Sequence, residues 1–288
     1  MQWDETDVQF ETGGTSGRFA TRVVGDKRRE AAASLCPVLI VPTAGASYEY
    51  METLEALVVS DRRVVEPSFA GTRGRVDPAL TSPSSMADQL RALVRQLQLP
   101  AVHLLAHGAG ASAALQLVEG EGSLPLRSLT LLSPYGSLAD LKQGVDPKSL
   151  STLLPTLDAK ARGSCITESI GTSSPAWLEA LGREGGGESL RGEKLPRLLQ
   201  PAAKAKVATL VMWGGDRDIV DTSWPIDSLQ KENVNLRVFE QSGHLPFIDE
   251  REAFVAEYLE FLDAVDGKKT SRELLIDPSL KSIRGTSI

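Results

Sequence analysis

The sequence is short of the features that would direct it to a membrane, a nucleic acid or a disulfide framework. Its first ten residues, MQWDETDVQF, are acidic and hold no apolar core of the kind a secretory signal needs. No apolar run reaches the roughly 20 residues of a membrane-spanning helix. Basic residues form no dense block. The longest run, Lys27-Arg28-Arg29, reads as part of a solvated loop, and the net charge of −7 argues against nucleic acid or an anionic membrane as partner. There are two cysteines, Cys36 and Cys165, too far apart for a metal-ligand spacing. They read as free buried thiols in a reducing compartment, with no metal and no cofactor expected. These absences point to a soluble protein of the cytoplasm, with a removed transit peptide as the alternative.

What is present is an ordinary globular composition. At 288 residues, with 24% charged, the chain has room for one large or two small domains and a core of good size. Residues 8–24 alternate around Gly13-Gly14 and Gly17, which predicts an edge hairpin. Residues 26–34 read as an exposed loop. Pro37 to Val41 (PVLIV) is a continuous apolar run, the mark of a strand buried on both faces. The Pro42-Thr43-Ala44-Gly45 turn precedes a helix over 48–58, and Arg63-Val64-Val65 is a short strand. Ser85 to Asp88 has capping-box spacing ahead of a helix that buries Leu90, Leu93, Val94 and Leu97. Further strands are predicted at 128–132, 207–213 and 236–239, and a last helix at 252–262 with Phe254, Tyr258, Phe261 and Leu262 inward. Strands alternating with helices predict an α/β protein with a mostly parallel central sheet and helices on both faces.

Residues 101–118, AVHLLAHGAGASAALQLV, organise this pattern. An apolar strand runs into the turn His107-Gly108-Ala109-Gly110, and an Ala-rich helix follows at once. Strand, tight small-residue turn and helix is the layout of a nucleophile elbow, in which the middle residue of G-x-S-x-G carries the reacting atom. Here that middle residue is Gly108. Two more stretches point to the same site. Trp213 to Asp218 (WGGDRD) follows one strand, and Ser242 to Phe247 (SGHLPF) follows the last. An acid and then a histidine after such an elbow are the partners that activate a nucleophile: the histidine takes its proton and the carboxylate steadies the imidazolium.

On these residues the chain resembles the α/β-hydrolase superfamily over about residues 8–263, nearest to its proline-iminopeptidase and epoxide-hydrolase-like branches. AGASYEYMETLEAL, LPAVHLLAHGAGASAALQLV, TLVMWGGDRDIV and SGHLPFIDEREAFVAEYLEFL are similar to its oxyanion, elbow, acid and histidine segments. The resemblance implies His244 as the catalytic base and Asp218 as its acid, with Asp216 as the other candidate. Thr43, Ala44 and Ala109 fall in the oxyanion and ligand-binding region. It implies an α/β-hydrolase core over 1–136 and 206–263, a small helical lid over 137–205 and a C-terminal tail over 264–288. No strand is predicted in 137–205, which carries the breaker Gly185-Gly186-Gly187.

The departures from that pattern bear on function. The nucleophile falls on Gly108, the usual His-Gly of the oxyanion turn on Pro42-Thr43, and an aspartate usual after the next strand on Ser68. Pro42 has no N–H to offer an oxyanion. Ser112, the nearest hydroxyl, lies a turn into the helix, and His103 and His107 read as packing residues. Three readings follow. One is a non-hydrolytic or strongly reduced homologue that binds a small apolar ligand or a partner. A second is an enzyme using an Asp-His dyad without a covalent step, or a serine hydrolase whose nucleophile has been substituted. A third is a scaffold protein. A small-molecule ligand is expected, and a protein partner stays open. Neither the ligand nor the oligomeric state is written in the sequence.

Overall fold

The continuous apolar runs form the middle of an eight-stranded sheet. A computed structural model describes residues 4–32, 34–41, 61–69, 80, 82–108, 110–118, 124–135, 207–215, 218, 220–221, 234–243 and 246–268. The strands are β1 (Asp4–Thr12), β2 (Thr15–Val24), β3 (Val38–Val41), β4 (Val64–Ser68), β5 (Val102–His107), β6 (Leu126–Leu132), β7 (Ala208–Gly214) and β8 (Asn235–Phe239). The described helices are α1 (Lys27–Ala32), α2 (Pro83–Gln96), α3 (Gly110–Gln116), α4 (Pro246–Asp249) and α5 (Arg251–Asp263). A wide turn, Ala264–Lys268, follows α5. The sheet order is β1-β2-β4-β3-β5-β6-β7-β8. β3 to β8 are parallel, and β2 alone runs against its neighbours.

Every residue of β3, β4 and β5 is buried. Both sheet faces are therefore covered at the centre, which is why β3 reads as an unbroken apolar run, while β4 and β5 bury the polar Glu66, Ser68, His103 and His107 as well. β1 and β2 form the predicted hairpin through Gly13-Gly14, and only their alternate residues, such as Val8, Phe10 and Phe19, turn inward. α2 packs its buried Leu90, Leu93 and Val94 into the core, and α5 turns Phe254, Tyr258, Phe261 and Leu262 inward as its spacing predicts.

Two expectations need correction. The described residues among 26–34 are exposed as expected, Glu30 apart, but they are not all loop: Lys27–Ala32 is a helical turn started by Asp26, whose carboxylate accepts the Arg28 N–H at 2.7 Å. The reason lies far along the chain: buried Glu30 pairs with Arg63 at 2.9 Å and accepts its backbone N–H. The helix expected after Ser85 starts earlier, at Pro83. Ser82 is its cap and accepts the Ser85 N–H at 3.2 Å, and proline is well suited to the first turn, where the missing N–H has no partner to lose. The helix over 48–58 and the lid at 137–205 lie outside the described residues. The first residues of the tail stretch are tied down, with the Asp266 side chain only 2% exposed. Among the described residues no helix is long and apolar enough to cross a membrane.

Candidate active site at the end of the fifth strand

From β3 the chain moves to β4 on one side, then crosses to β5 on the other. Such a reversal opens a crevice at the carboxyl ends of the two strands, where open α/β sheets bind ligands. The residue immediately after β5 is Gly108. Its φ is +54°, in the left-handed region that costs a side-chain-bearing residue free energy. The turn is held by its backbone. The Gly108 N–H donates to the Leu132 carbonyl at 2.8 Å, and its carbonyl accepts the N–H of Ala111 at 3.2 Å and of Tyr135 at 3.4 Å. The chain thus passes from β5 to α3 within a few residues, with Gly108 directly after the strand. Ser112 is buried inside α3, and its hydroxyl has no hydrogen-bond partner among the described residues.

Asp218, after β7, is 2% exposed. One of its carboxylate oxygens accepts the Ser133 hydroxyl at 2.7 Å and the Gly214 N–H at 3.1 Å. The other accepts the Val220 N–H at 3.1 Å. Three fixed donors hold a carboxylate in one orientation and compensate its removal from water. Ser133 is the residue that sequence reasoning missed. It stands one residue past β6 at φ +41° and ties its own N–H to the Met212 carbonyl at 2.7 Å. The only sequence sign was a Ser-Pro pair closing a strand.

The segment around position 244 is anchored on both sides. Before it, the Gly215 N–H donates to the Ser242 carbonyl at 2.9 Å. Gly214 approaches Gly243 so closely that a Cβ on it would lie 1.9 Å from the Gly243 carbonyl oxygen. Gly243 is itself held by Asp249, and Ser242 by Glu250. After it, the Phe247 ring meets the His107 ring edge-on at 5.7 Å, one residue from Gly108. The neighbours of position 244 thus touch both the acid's strand end and the elbow. His244, Asp216, Thr43, Ala44 and Ala109 lie outside the described residues.

The other two described candidates are packed, as read. His107 stands at the end of β5 against Phe247, and His103 is fully buried at its start. Five residues of strand put His103 about 16 Å from the elbow. Its Nδ1 lies 2.8 Å from the Ser128 hydroxyl, and its Nε2 lies 3.1 Å from each Asp266 oxygen. Burial pushes the His103 pKa down, against the Asp266 carboxylate, which pulls it up. Burial alone would raise the Asp266 carboxyl. The hydrogen bond from His103 and the Arg62 guanidinium outweigh it and hold that carboxyl down at about 2.

With the geometry in hand, the chain can be set beside known proteins. The model of a family described as alpha/beta hydrolase matches residues 38–257. The chain belongs to the alpha/beta hydrolase family. Solved structures agree on the fold. An aryl esterase, so described, from Burkholderia cenocepacia superposes with a TM-score of 0.69 at 16% identity, covering 90% of this chain and 99% of its own. An esterase from Exiguobacterium antarcticum gives 0.63 at 20% identity, covering 89% and 98%. A serine-to-glycine mutant of the N-acyl homoserine lactonase AidH, complexed with N-hexanoyl homoserine lactone, gives 0.69 at 16% identity, covering 92% and 98%. Comparison with curated proteins gives no sequence match.

Proposed function

We propose that this alpha/beta hydrolase has no covalent nucleophile and acts as a non-hydrolytic or strongly reduced homologue that binds a small apolar ligand or a partner. The observation that carries the reading is Gly108, at φ +54° directly after β5, held by backbone hydrogen bonds and with no side chain to react. In a serine hydrolase, loss of that group alone costs on the order of 10⁶-fold in kcat. The similar structures described as esterases and a lactonase make an apolar ester or lactone the first ligand class to try. The test is a set of assays with p-nitrophenyl esters, amino-acid anilides, epoxides and acyl lactones, run beside calorimetric binding of the same compounds. Binding without turnover is expected. Turnover that follows the protein through purification and vanishes in His244→Ala overturns the reading.

A second reading rests on Asp218. Its carboxylate is buried and held by three donors, an arrangement suited to orienting a histidine. An Asp218–His244 dyad could activate water or deprotonate a ligand over Gly108, and general-base catalysis alone is worth about 10²–10⁴-fold. Weak turnover lost in both Asp218→Asn and His244→Ala would favour it over pure binding.

A further inference from the structure

At the opposite end of the sheet the fold gathers a thiol, an imidazole and a carboxylate that the elbow does not use. Cys36 lies in the extended segment just before β3, His103 is the second residue of β5, and Asp266 is in the turn after α5. Each offers one donor atom, and the three atoms lie within 4.8 Å of one another. They are 67 and 163 residues apart in sequence, so no local spacing betrays them. The donors stand on rigid supports. β3 and β5 are adjacent parallel strands, with Val38 beside His103 in register, and His103 in turn sits beside Ser128 of β6.

We propose that Cys36, His103 and Asp266 form a zinc(II) site that clips the C-terminal turn to the amino ends of β3 and β5. The mixed S, N and O donor set suits zinc, which takes all three at about 2.0–2.3 Å. A tetrahedral ion spaces such donors about 3.3–3.8 Å apart. His103 and Asp266 already stand 3.1 Å apart, so closure asks at most about 1 Å of Cys36, which lies outside regular structure. The fourth position falls to water, reached past the half-buried Cys36.

The surroundings allow either state. Without metal, the Nε2–H of His103 donates to Asp266 and the Ser128 hydroxyl donates to Nδ1. With zinc on Nε2, the proton sits on Nδ1 and donates to the Ser128 oxygen, giving the ligand histidine its usual outer hydrogen bond. A hydroxyl can donate or accept and so serves both tautomers. The thiol gives its proton to solvent as the ion binds. Two arginines also reach Asp266. Arg62 shares its charge with Asp263, and Arg127 stands at 3.5 Å with half its side chain in water. They act as outer partners that orient the carboxylate. Burial pushes the Cys36 thiol up, and Asp266 and Glu30 add to that while Arg127 and Arg62 oppose it.

The experiment uses the full chain, stripped with a chelator and titrated with cobalt(II) and then zinc(II). One equivalent of cobalt is expected, with thiolate-to-cobalt charge-transfer absorption that zinc abolishes. Cys36→Ser should remove that absorption and weaken zinc binding about tenfold or more, and Asp266→Asn should weaken it similarly. Cys165→Ser should change neither. Circular dichroism confirms that each variant is folded, and Cys36→Ser, at a half-buried site, is the mild one. A folded wild-type chain that takes up no stoichiometric cobalt overturns the site. So does binding that survives Cys36→Ser, or binding lost in Cys165→Ser.

Discussion

The proposed loss of the nucleophile turns on one residue, Gly108, and can be tested there. The unmodified chain should not react with a fluorophosphonate probe, because labelling needs an activated hydroxyl. Gly108→Ser should restore labelling, read by in-gel fluorescence. The φ of +54° is one serine adopts at a cost, so the variant should lose about 1–3 kcal/mol in urea denaturation. If Pro42 stands where the family has an oxyanion N–H donor, ester turnover should stay low, since one such donor is worth about 10²–10³-fold. Strong labelling of the unmodified protein would mean another nucleophile, with Ser112 the first to examine. Asp218→Asn puts an amide N–H₂ where the buried site offers N–H and O–H donors. A loss of about 1–3 kcal/mol is expected, with little change in m-value. Gly214→Ala meets backbone rather than a yielding side chain, at 1.9 Å from the Gly243 carbonyl oxygen. It should cost about 3 kcal/mol or prevent folding, and unchanged stability would contradict the close approach.

Elements differ in how much of them a sequence reveals. β3, β5, β6 and β7 announced themselves because burial on both faces makes long apolar runs, and α5 because one face is aromatic. The edge hairpin was legible from alternation and two adjacent glycines. α1 was not, because its six residues look like a polar loop and its reason to fold is an ion pair with Arg63 across 33 residues. The cap of α2 was misplaced because Ser82 and Ser85 lie three residues apart and both suit a helix start; Pro83 decides between them. Ser82→Ala should therefore cost about 1 kcal/mol by urea denaturation. The site shows the same division. Gly108 and Asp218 stand beside the strands where local motifs put them, while their proposed roles rest on the family resemblance. Ser133 was not, because its partner lies 85 residues on.

On the scale of the whole molecule, one buried cation ties the chain's early and late parts together. Arg62 has a fully buried side chain and bonds Asp263 and Asp266, 201 and 204 residues later. Breaking such a pair leaves a charge stranded in low dielectric, so Arg62→Met should cost about 3–5 kcal/mol in chemical denaturation. This tie also has a meaning in time. A ribosome adding 5–20 residues each second needs about 10–40 s to travel from Arg62 to its carboxylates. Throughout that interval the base of the nascent sheet carries a guanidinium with neither aspartate to neutralise it. Burying that guanidinium before its carboxylates arrive would strand a charge in low dielectric, so Arg62 is expected to stay in water until then. Synthesis of the turn after α5 completes the partners of Arg62, so nascent chains arrested before Asp263 should remain protease-sensitive where chains arrested well past Asp266 do not.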